Sequence, residues 1–292
     1  QFNAVDDKPA ASVENYGNIN VHDSGLVALL GANVINRGII TARYGQIALG
    51  AGKAIKLDFY GDKLLSVAVP YEQAEQLKDI YGNPLTALID NSGTIQANGG
   101  IVHLSAKTSS TAFRSAINNS GDVRAQTVSQ HNGKIILGGS DTGEVIISGN
   151  LDVSGRNTNE VGGTIEITGD KIGLFSGTSI DASGTDGGGT IHIGGELQGK
   201  GKTQTASVTY VDKNVNIQAD AIGTGDGGEV IIWADHTTRF YGEVSTKGGT
   251  QTGNGGFVEV SGKQYLDFFG HVDTSATNGE MGTLLLDPRD LT

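Results

Sequence analysis

Apolar and polar residues alternate in ten short segments of this 292-residue chain, and each segment begins at a glycine. The glycine is followed by a variable residue, an apolar residue, any residue and a second apolar residue. This is the two-residue period of a β-strand with one buried face. One such strand cannot bury its apolar row alone, whereas stacked copies can. The pattern predicts a solenoid anchored at Gly25, Gly45, Gly100, Gly133, Gly143, Gly163, Gly189, Gly228, Gly256 and Gly282.

The residues two and four places after each anchoring glycine are predicted to face the core. The residues between them are predicted to face outward, and they vary freely: Ala28, His103, Glu166, His192 and Glu259 are examples. The predicted inward residues are Val27, Leu29, Ile47, Leu49, Val102, Leu104, Ile135, Leu137, Val145, Ile147, Ile165, Ile167, Ile191, Ile193, Val230, Ile232, Val258, Val260, Leu284 and Leu286.

A second repeat consists of Asn-x-Gly followed by a short alternating strand, and it begins at Asn15, Asn36, Asn91 and Asn119. Later copies keep the strand and lose the asparagine, as in Ile-Asp-Ala-Ser-Gly after Ser179. Asn-x-Gly is a turn signal, because asparagine can bond its own backbone and glycine can adopt the left-handed conformation. Each copy is therefore predicted to place a turn and a half-buried strand in the same coil.

The spacing of the glycine anchors is mostly 20 to 28 residues, which suits a coil of two or three short strands. Neighbouring coils would pair in parallel about 4.8 Å apart, so a dozen coils would give a rod on the order of 60 Å long. Parallel crossovers are right-handed in nearly all proteins. The predicted fold is an all-β, right-handed parallel β-helix that forms one solenoid over residues 1–292.

Three segments interrupt the coil spacing and are predicted to protrude, at about residues 64–90, 106–118 and 198–210. The first contains Pro70 to Ile80, in which proline, early glutamates, spaced apolar residues and a closing glycine predict a short helix. Residues 110–117 carry a weaker helical pattern. The third segment is polar and carries Lys200 and Lys202.

Composition narrows the classes of function. The formal net charge of −12 argues against nucleic acid or an anionic membrane as a partner. No stretch approaches 18 apolar residues, so insertion into a bilayer is not expected.

The 46 glycines lack a three-residue period, which excludes collagen. The absence of cysteine suits a chain that crosses a membrane pore unfolded, since no early disulfide closes a loop. The start at Gln1 and the abrupt end suggest a fragment of a longer protein.

Candidate catalytic and metal-binding residues are few. The six histidines do not pair at helical spacing, and no metal site is predicted from them. Asp152, Asp181 and Asp273 occupy matching positions in successive repeats, where stacked carboxylates could hydrolyse glycosidic bonds or hold calcium. A solvated acidic face is the favoured interpretation. The glycine-rich runs near residues 185 and 224 lack the nine-residue period of calcium-binding repeats and are interpreted as turns. We predict no catalytic residue, cofactor or metal.

Aromatic residues concentrate near the C-terminal end, around Trp233, Phe240 and Tyr241 and then Phe268 and Phe269. A stacked aromatic row in the core is the favoured interpretation. A patch that contacts a receptor is the alternative.

These segments resemble the filamentous haemagglutinin family. The resemblance is most specific in Gly228-Glu-Val-Ile-Ile-Trp-Ala-Asp, Thr238-Arg-Phe-Tyr-Gly, Gly255-Gly-Phe-Val-Glu-Val-Ser-Gly-Lys and Gly282-Thr-Leu-Leu-Leu-Asp-Pro. The Asn-x-Gly and Gly-x-Ile-Ala-Leu repeats extend it from Asn15 onward, over nearly the whole chain.

The resemblance implies a non-enzymatic exoprotein of Gram-negative bacteria, exported by two-partner secretion through an outer-membrane barrel. Its members display a β-helical passenger at the cell surface as adhesins, haemolysins or toxin stalks, with a host or neighbouring-cell glycan or protein as partner. The family's export motif contains Asn-Pro-Asn, whereas the only Asn-Pro here is Asn83-Pro84. The part recognised by the barrel is therefore expected upstream of this chain. A carbohydrate-active β-helix enzyme is the alternative class.

Overall fold

The computed structural model describes residues 2–3, 12–57, 65–69, 84–107 and 115–291. Regular structure in these ranges is almost entirely β-strand, with one 3₁₀ turn at Leu197–Gly199. The chain winds repeatedly through three parallel sheets, and each strand pairs with its counterparts in the preceding and following coils. The fold is a parallel β-helix, as the repeats predict.

One coil crosses sheet 1, sheet 2 and sheet 3 in that order. In the described part of the chain, sheet 1 is formed by Ser12–Asn15, Asn33–Asn36, Ala87–Asn91, Ser115–Asn119, Glu144–Ile147, Lys171–Leu174, Val208–Val211, Thr237–Phe240, Tyr265–Phe268 and Asp290–Leu291. Sheet 2 is formed by Asn18–Asn20, Ile39–Thr41, Thr94–Gln96, Asp122–Arg124, Asn150–Asp152, Ser179–Asp181, Asn216–Gln218, Glu243–Ser245 and His271–Asp273. Sheet 3 is formed by Leu26–Gly31, Gln46–Ala51, Ile101–Ala106, Lys134–Gly138, Thr164–Thr168, Thr190–Ile193, Glu229–Ala234, Phe257–Gly262 and Thr283–Leu285.

The described residues thus form nine complete coils and the first strand of a tenth. At about 4.8 Å per strand the column is about 40 Å long. It is shorter than the rod predicted from a dozen coils, because residues between successive coils, such as 194–207 between Thr190–Ile193 and Val208–Val211, form no coil strand.

The core is a column of stacked aliphatic side chains. Ile191, for example, lies between Ile165 and Val230 of the neighbouring coils. The predicted inward residues are buried with three exceptions. Leu29 is partly buried in the first strand of sheet 3. Leu284 is exposed and Leu286 partly buried at the opposite end, where no further coil covers them in the described residues.

The glycines of both repeats allow the backbones of neighbouring coils to lie close together. A Cβ on Gly93 would lie 2.2 Å from the carbonyl oxygen of Gly38, and one on Gly228 would lie 2.1 Å from that of Gly189. The glycines of the four Asn-x-Gly turns are not among the residues with positive φ. The prediction of a left-handed glycine in these turns is therefore wrong. Glycine is required because the backbone of the adjacent coil leaves no room for a Cβ.

The turn asparagines form a buried ladder between sheets 1 and 2. The side-chain amide of Asn15 donates to Asn36 (2.8 Å), that of Asn36 to Asn91 (2.7 Å) and that of Asn91 to Asn119 (2.7 Å). Side-chain bonds to the local backbone occur at the two ends, where Gly17 N–H donates to Asn15 and Asn119 donates to the Gly121 carbonyl. Inside the ladder, the asparagine side-chain amides are hydrogen-bonded to the asparagines of the neighbouring coils.

The ladder turns apolar after the fourth coil. Ile147 takes the place beside Asn119, and Leu174, Val211, Phe240 and Phe268 continue the same register. The rings of Phe240 and Phe268 stack with centroids 5.3 Å apart. The aromatic row predicted in the core therefore exists at these two positions.

A small antiparallel sheet lies outside the column between the second and third coils. It joins Phe2–Asn3, Ala54–Leu57 and Leu65–Val69. Its strand Leu65–Val69 lies beside Gln46–Ala51 and Ile101–Ala106 of sheet 3. A second, minor apolar cluster forms there, made of Ala48 and Ile55 with Leu26, Leu30 and Leu57.

The predicted protrusions overlap regular coil strands. Residues 87–90, 115–118 and 208–210 belong to sheet 1. The predicted helix at Pro70 to Ile80 lies outside the described residues, as do residues 110–114 of the second helical pattern. Residues 115–117 form strand instead of helix, because the apolar Ala116 and Ile117 are buried in the column.

Candidate functional site

The three aspartates considered as a carboxylate site cap turns at the end of sheet 2. Asp152 and Asp181 are direct register partners, as the repeats suggest. In each copy one carboxylate oxygen accepts the backbone N–H two residues further on: Ser154 (2.9 Å), Ser183 (2.8 Å) and Ser275 (3.0 Å). The Asp-x-Ser motif is thus an Asx turn that ends the strand.

The remaining oxygens of these carboxylates also have partners. Asp152 accepts from the Gln126 amide (2.7 Å), Asp181 pairs with Arg156, and Asp273 lies 3.2 Å from the Lys247 ammonium. The hydrogen bonds from Ser275 lower the pKa of Asp273 from its ordinary value, with a further contribution from Lys247. A general acid would need a raised pKa. The three aspartates therefore form a row of residues that cap turns.

No group of three or more His, Cys, Asp or Glu side chains in the described ranges could hold a metal ion. Among the histidines, His192 Nε2 lies 2.7 Å from Glu229 Oε1 on the outer face of sheet 3. The hydrogen bond from His192 lowers the pKa of Glu229. No helix in the described residues is long and apolar enough to cross a membrane.

His103 departs from its prediction, because it is buried although it points out of the column. The neighbouring antiparallel sheet lies over its coil. Burial lowers the pKa of His103 to about 4, and the Lys134 ammonium adds to the effect. Its Nδ1 has no hydrogen-bond partner among the described residues. The imidazole is therefore neutral in the folded chain at ordinary pH.

We expect stability to fall on acidification through His103. Between pH 6.5 and 4 the unfolded chain binds more protons there than the folded chain, so the free energy of unfolding decreases as the pH falls. The full effect is about 3 kcal/mol. Urea unfolding of the His103→Leu variant at pH 7.5, 5.5 and 4.5 should show a smaller loss than the parent. The exposed His22→Leu change is the matched control. Equal pH dependence in all three proteins would contradict the assignment.

A strap formed by residues 194–205 crosses the outer face of sheet 3 and covers Trp233. The indole is 3% exposed. A Cβ on Gly199, whose φ is +61°, would lie 2.5 Å from the ring. The carboxylate of Glu196 holds the strap in shape by accepting the N–H groups of Lys202 (3.3 Å) and Thr203 (3.0 Å). Trp233 is thus neither core nor receptor patch, because the strap shields it.

The strap also buries Glu259, which was predicted to be a free outward residue. Gln198 N–H donates to Glu259 Oε2 over 2.9 Å. The other carboxylate oxygen, Oε1, has no partner in the described part of the chain. Burial raises the pKa of Glu259, and the nearby carboxylates of Asp287 and Glu229 raise it further. Period-two alternation places this side chain outside the column but carries no signal of the strap above it.

A pocket of about 370 Å³ lies at the edge of the strap. Its lining includes three cationic side chains, one carboxylate and the edge of the buried indole. The lining residues are Gln198, Lys200, Trp233, Lys263, Asp287, Pro288 and Arg289. The sequence does not predict this pocket, because Lys263 and Arg289 belong to different coils and the strap is an insertion.

A polar groove of about 470 Å³ follows the end of sheet 2 on another side of the column, between Arg43 and Arg156. Each guanidinium already faces a carboxylate, Asp23 at 3.7 Å and Asp181 respectively. The buried Glu160 fixes the loops beside it by accepting the backbone N–H groups of Ser129 and Asn157.

Four aromatic side chains form a row on the outer surface of sheet 1 and the turn that follows it. Ring centroids are 5.6 Å apart for Phe175 and Tyr210, 5.8 Å for Tyr210 and Tyr241, and 6.4 Å for Tyr241 and Phe269. Phe269 is 72% exposed. The aromatic cluster seen in the sequence therefore divides into an inner pair and this outer row.

Among solved structures, the chain is similar to a bacterial secretion domain. The crystal structure of the HMW1 secretion domain from Haemophilus influenzae superimposes with a TM-score of 0.73 and 29% sequence identity, covering 98% of this chain and 69% of that one. No protein-family model and no curated protein matches the chain.

Proposed function

We propose that this chain is a secretion domain of a two-partner-secretion exoprotein, engaged by an outer-membrane transporter barrel and delivered to the cell exterior. The observation that carries the proposal is the similarity to the HMW1 secretion domain, which extends over 98% of this chain at 29% identity.

The architecture supports export of an unfolded chain. The chain has no cysteine. The sheets join each coil to the coils directly before and after it. Each newly emerged coil can bury its apolar row on the previous one, at about 25 cal/mol per Å² of apolar surface. Folding outside the cell would then oppose backward movement of the chain.

The proposal changes where export recognition is expected. The sequence interpretation placed it upstream, because Asn83-Pro84 is not followed by asparagine. The similarity to a secretion domain supports recognition within this chain itself. Asn83 lies outside the described residues.

The finer role that we propose is display of a haemagglutinin-like adhesin at the bacterial surface, with a host or neighbouring-cell glycan or protein as partner. A toxin stalk or a haemolysin would use the same export step. No observation favours a carbohydrate-active enzyme, because the oxygens of Asp152 and Asp181 are already bonded within turns and to side chains.

A secretion assay tests the proposal. The chain is placed between a signal peptide and a reporter protein and expressed in a Gram-negative strain, with and without the transporter barrel of the same bacterium. We expect reporter in the medium only when both chain and transporter are present. A fusion that lacks the chain is the control. Release that does not depend on the transporter, or retention in its presence, would refute the export function.

A further inference from the structure

We propose that the pocket at the edge of the strap binds an oxyanion, a phosphate or sulfate group that is either free or carried as a monoester. This inference does not depend on the proposed export function. It starts from the charges that line the pocket. Lys200, Lys263 and Arg289 converge there, in a chain with a formal net charge of −12.

In the described residues no ion pair neutralises these three cations, whereas several cations elsewhere on the column are paired. Arg37, Lys134 and Lys171, for example, each lie within 3.3 Å of a carboxylate oxygen. Across the described residues, none of the three pocket cations forms a salt bridge. The ammonium of Lys200 donates to the Gln198 side chain over 2.6 Å, which is a neutral acceptor.

The nearby carboxylates accept hydrogen bonds from other groups. Asp287 accepts from the Gln198 side-chain amide over 3.2 Å. Asp235 accepts from the Thr205 hydroxyl over 2.6 Å and lies 3.3 Å from the Trp233 indole nitrogen. Both carboxylates therefore hold the strap and the indole in place. Asp287 lines the pocket together with the three cations, so the lining keeps a formal charge of +2, that is +3 from the cations and −1 from Asp287.

Two of the three cations come from neighbouring coils. Arg289 N–H donates to the Lys263 carbonyl over 3.3 Å, so these residues occupy adjacent positions in successive coils. Both cationic side chains line one pocket, so their like charges repel each other. An anion between them would remove that repulsion. The guanidinium fork and the ammonium suit the oxygens of a tetrahedral anion.

Glu259 fits this arrangement. It is buried beneath the strap, and the Gln198 N–H that it accepts comes from a residue that lines the pocket. Burial keeps this carboxyl closer to its neutral form than an exposed glutamate. It therefore opposes an anion less than a solvated carboxylate at the same place would.

Trp233 provides the readout, because it is the only tryptophan in the chain and its indole lines the pocket. The whole chain is titrated with inorganic phosphate, and separately with inorganic sulfate, while sodium chloride holds the ionic strength constant. We expect a saturable change in tryptophan fluorescence with either anion, and a melting temperature that rises with anion concentration. A sugar phosphate and a sugar sulfate then distinguish which monoester binds more tightly.

The Lys263→Gln/Arg289→Gln double variant tests the assignment of the site. Both side chains are exposed, so the fold should be retained, and circular dichroism checks this. We expect the affinity to fall roughly tenfold or more. The control is Lys56→Gln/Lys213→Gln, which removes the same charge at exposed positions outside the pocket. No saturable response in the parent, an equal response to chloride, or equal weakening in both double variants would overturn the proposal.

Discussion

The Ile193→Asp variant is expected to lose about 3–5 kcal/mol of stability, a large part of what a typical domain has. Ile193 is fully buried, and its register neighbours are Ile167 and Ile232 in the adjacent coils. A carboxylate there would meet only aliphatic carbon and could not reach water. Urea unfolding followed by circular dichroism should show a lower midpoint, and the affected coils should unfold first, because each coil contacts only its neighbours.

The Ile193→Val variant is the matched control. It removes one methylene from the same site, for an expected loss of about 1 kcal/mol. A carboxylate variant that unfolds at the same midpoint as the valine variant would show that this side chain does not lie in a dry column.

The Gly93→Ala variant is the second change with a large expected effect. Its new Cβ would lie 2.2 Å from the carbonyl oxygen of Gly38, which is backbone and has no rotamer to relieve the contact. The coils would have to separate locally. This would weaken the bonds from Thr94 N–H to Gly38 (2.9 Å) and from Asp122 N–H to Gly93 (3.0 Å). We expect a loss of about 3 kcal/mol in the free energy of unfolding.

Gly17→Ala provides the control within the same Asn-x-Gly motif. Gly17 lies in the first coil of the described chain, and the nearest atom to its added Cβ is the Asn15 side-chain oxygen at 4.0 Å. The expected change is within about 0.5 kcal/mol. If both alanine variants lost equal stability, the cause would be the turn conformation and not the stacking of coils.

Much of the fold follows from local pattern because each coil repeats the same physical problem. An apolar residue at every second position must be buried, and only stacked copies bury it, so Ile165 and Ile191 could be assigned inward without knowledge of the partner strand. The inward assignment of Val145 and Ile147 after Gly143 is also correct, but their strand Glu144–Ile147 lies in sheet 1, whereas the strands after the other nine anchors lie in sheet 3. Alternation shows which face is buried but does not identify the sheet.

Besides the residues at the two open ends of the column, two positions that the pattern misjudged lie on its outer surface. His103 and Glu259 alternate correctly and point out of the column, yet both are buried, because inserted segments fold back over them. The pocket cations come from the strap and from two different coils. Insertions carry no repeat, so their paths depend on packing against residues far away in the chain.

The sequence by itself determined the winding of this protein and the residues of its dry column, since the alternation period and the spacing of the glycine anchors are local properties. Tertiary structure alone decided why the glycines are needed, where the asparagine ladder ends, and which outward side chains are covered. Those outcomes depend on which atoms meet across coils and beneath insertions, and such contacts join residues that no local pattern relates.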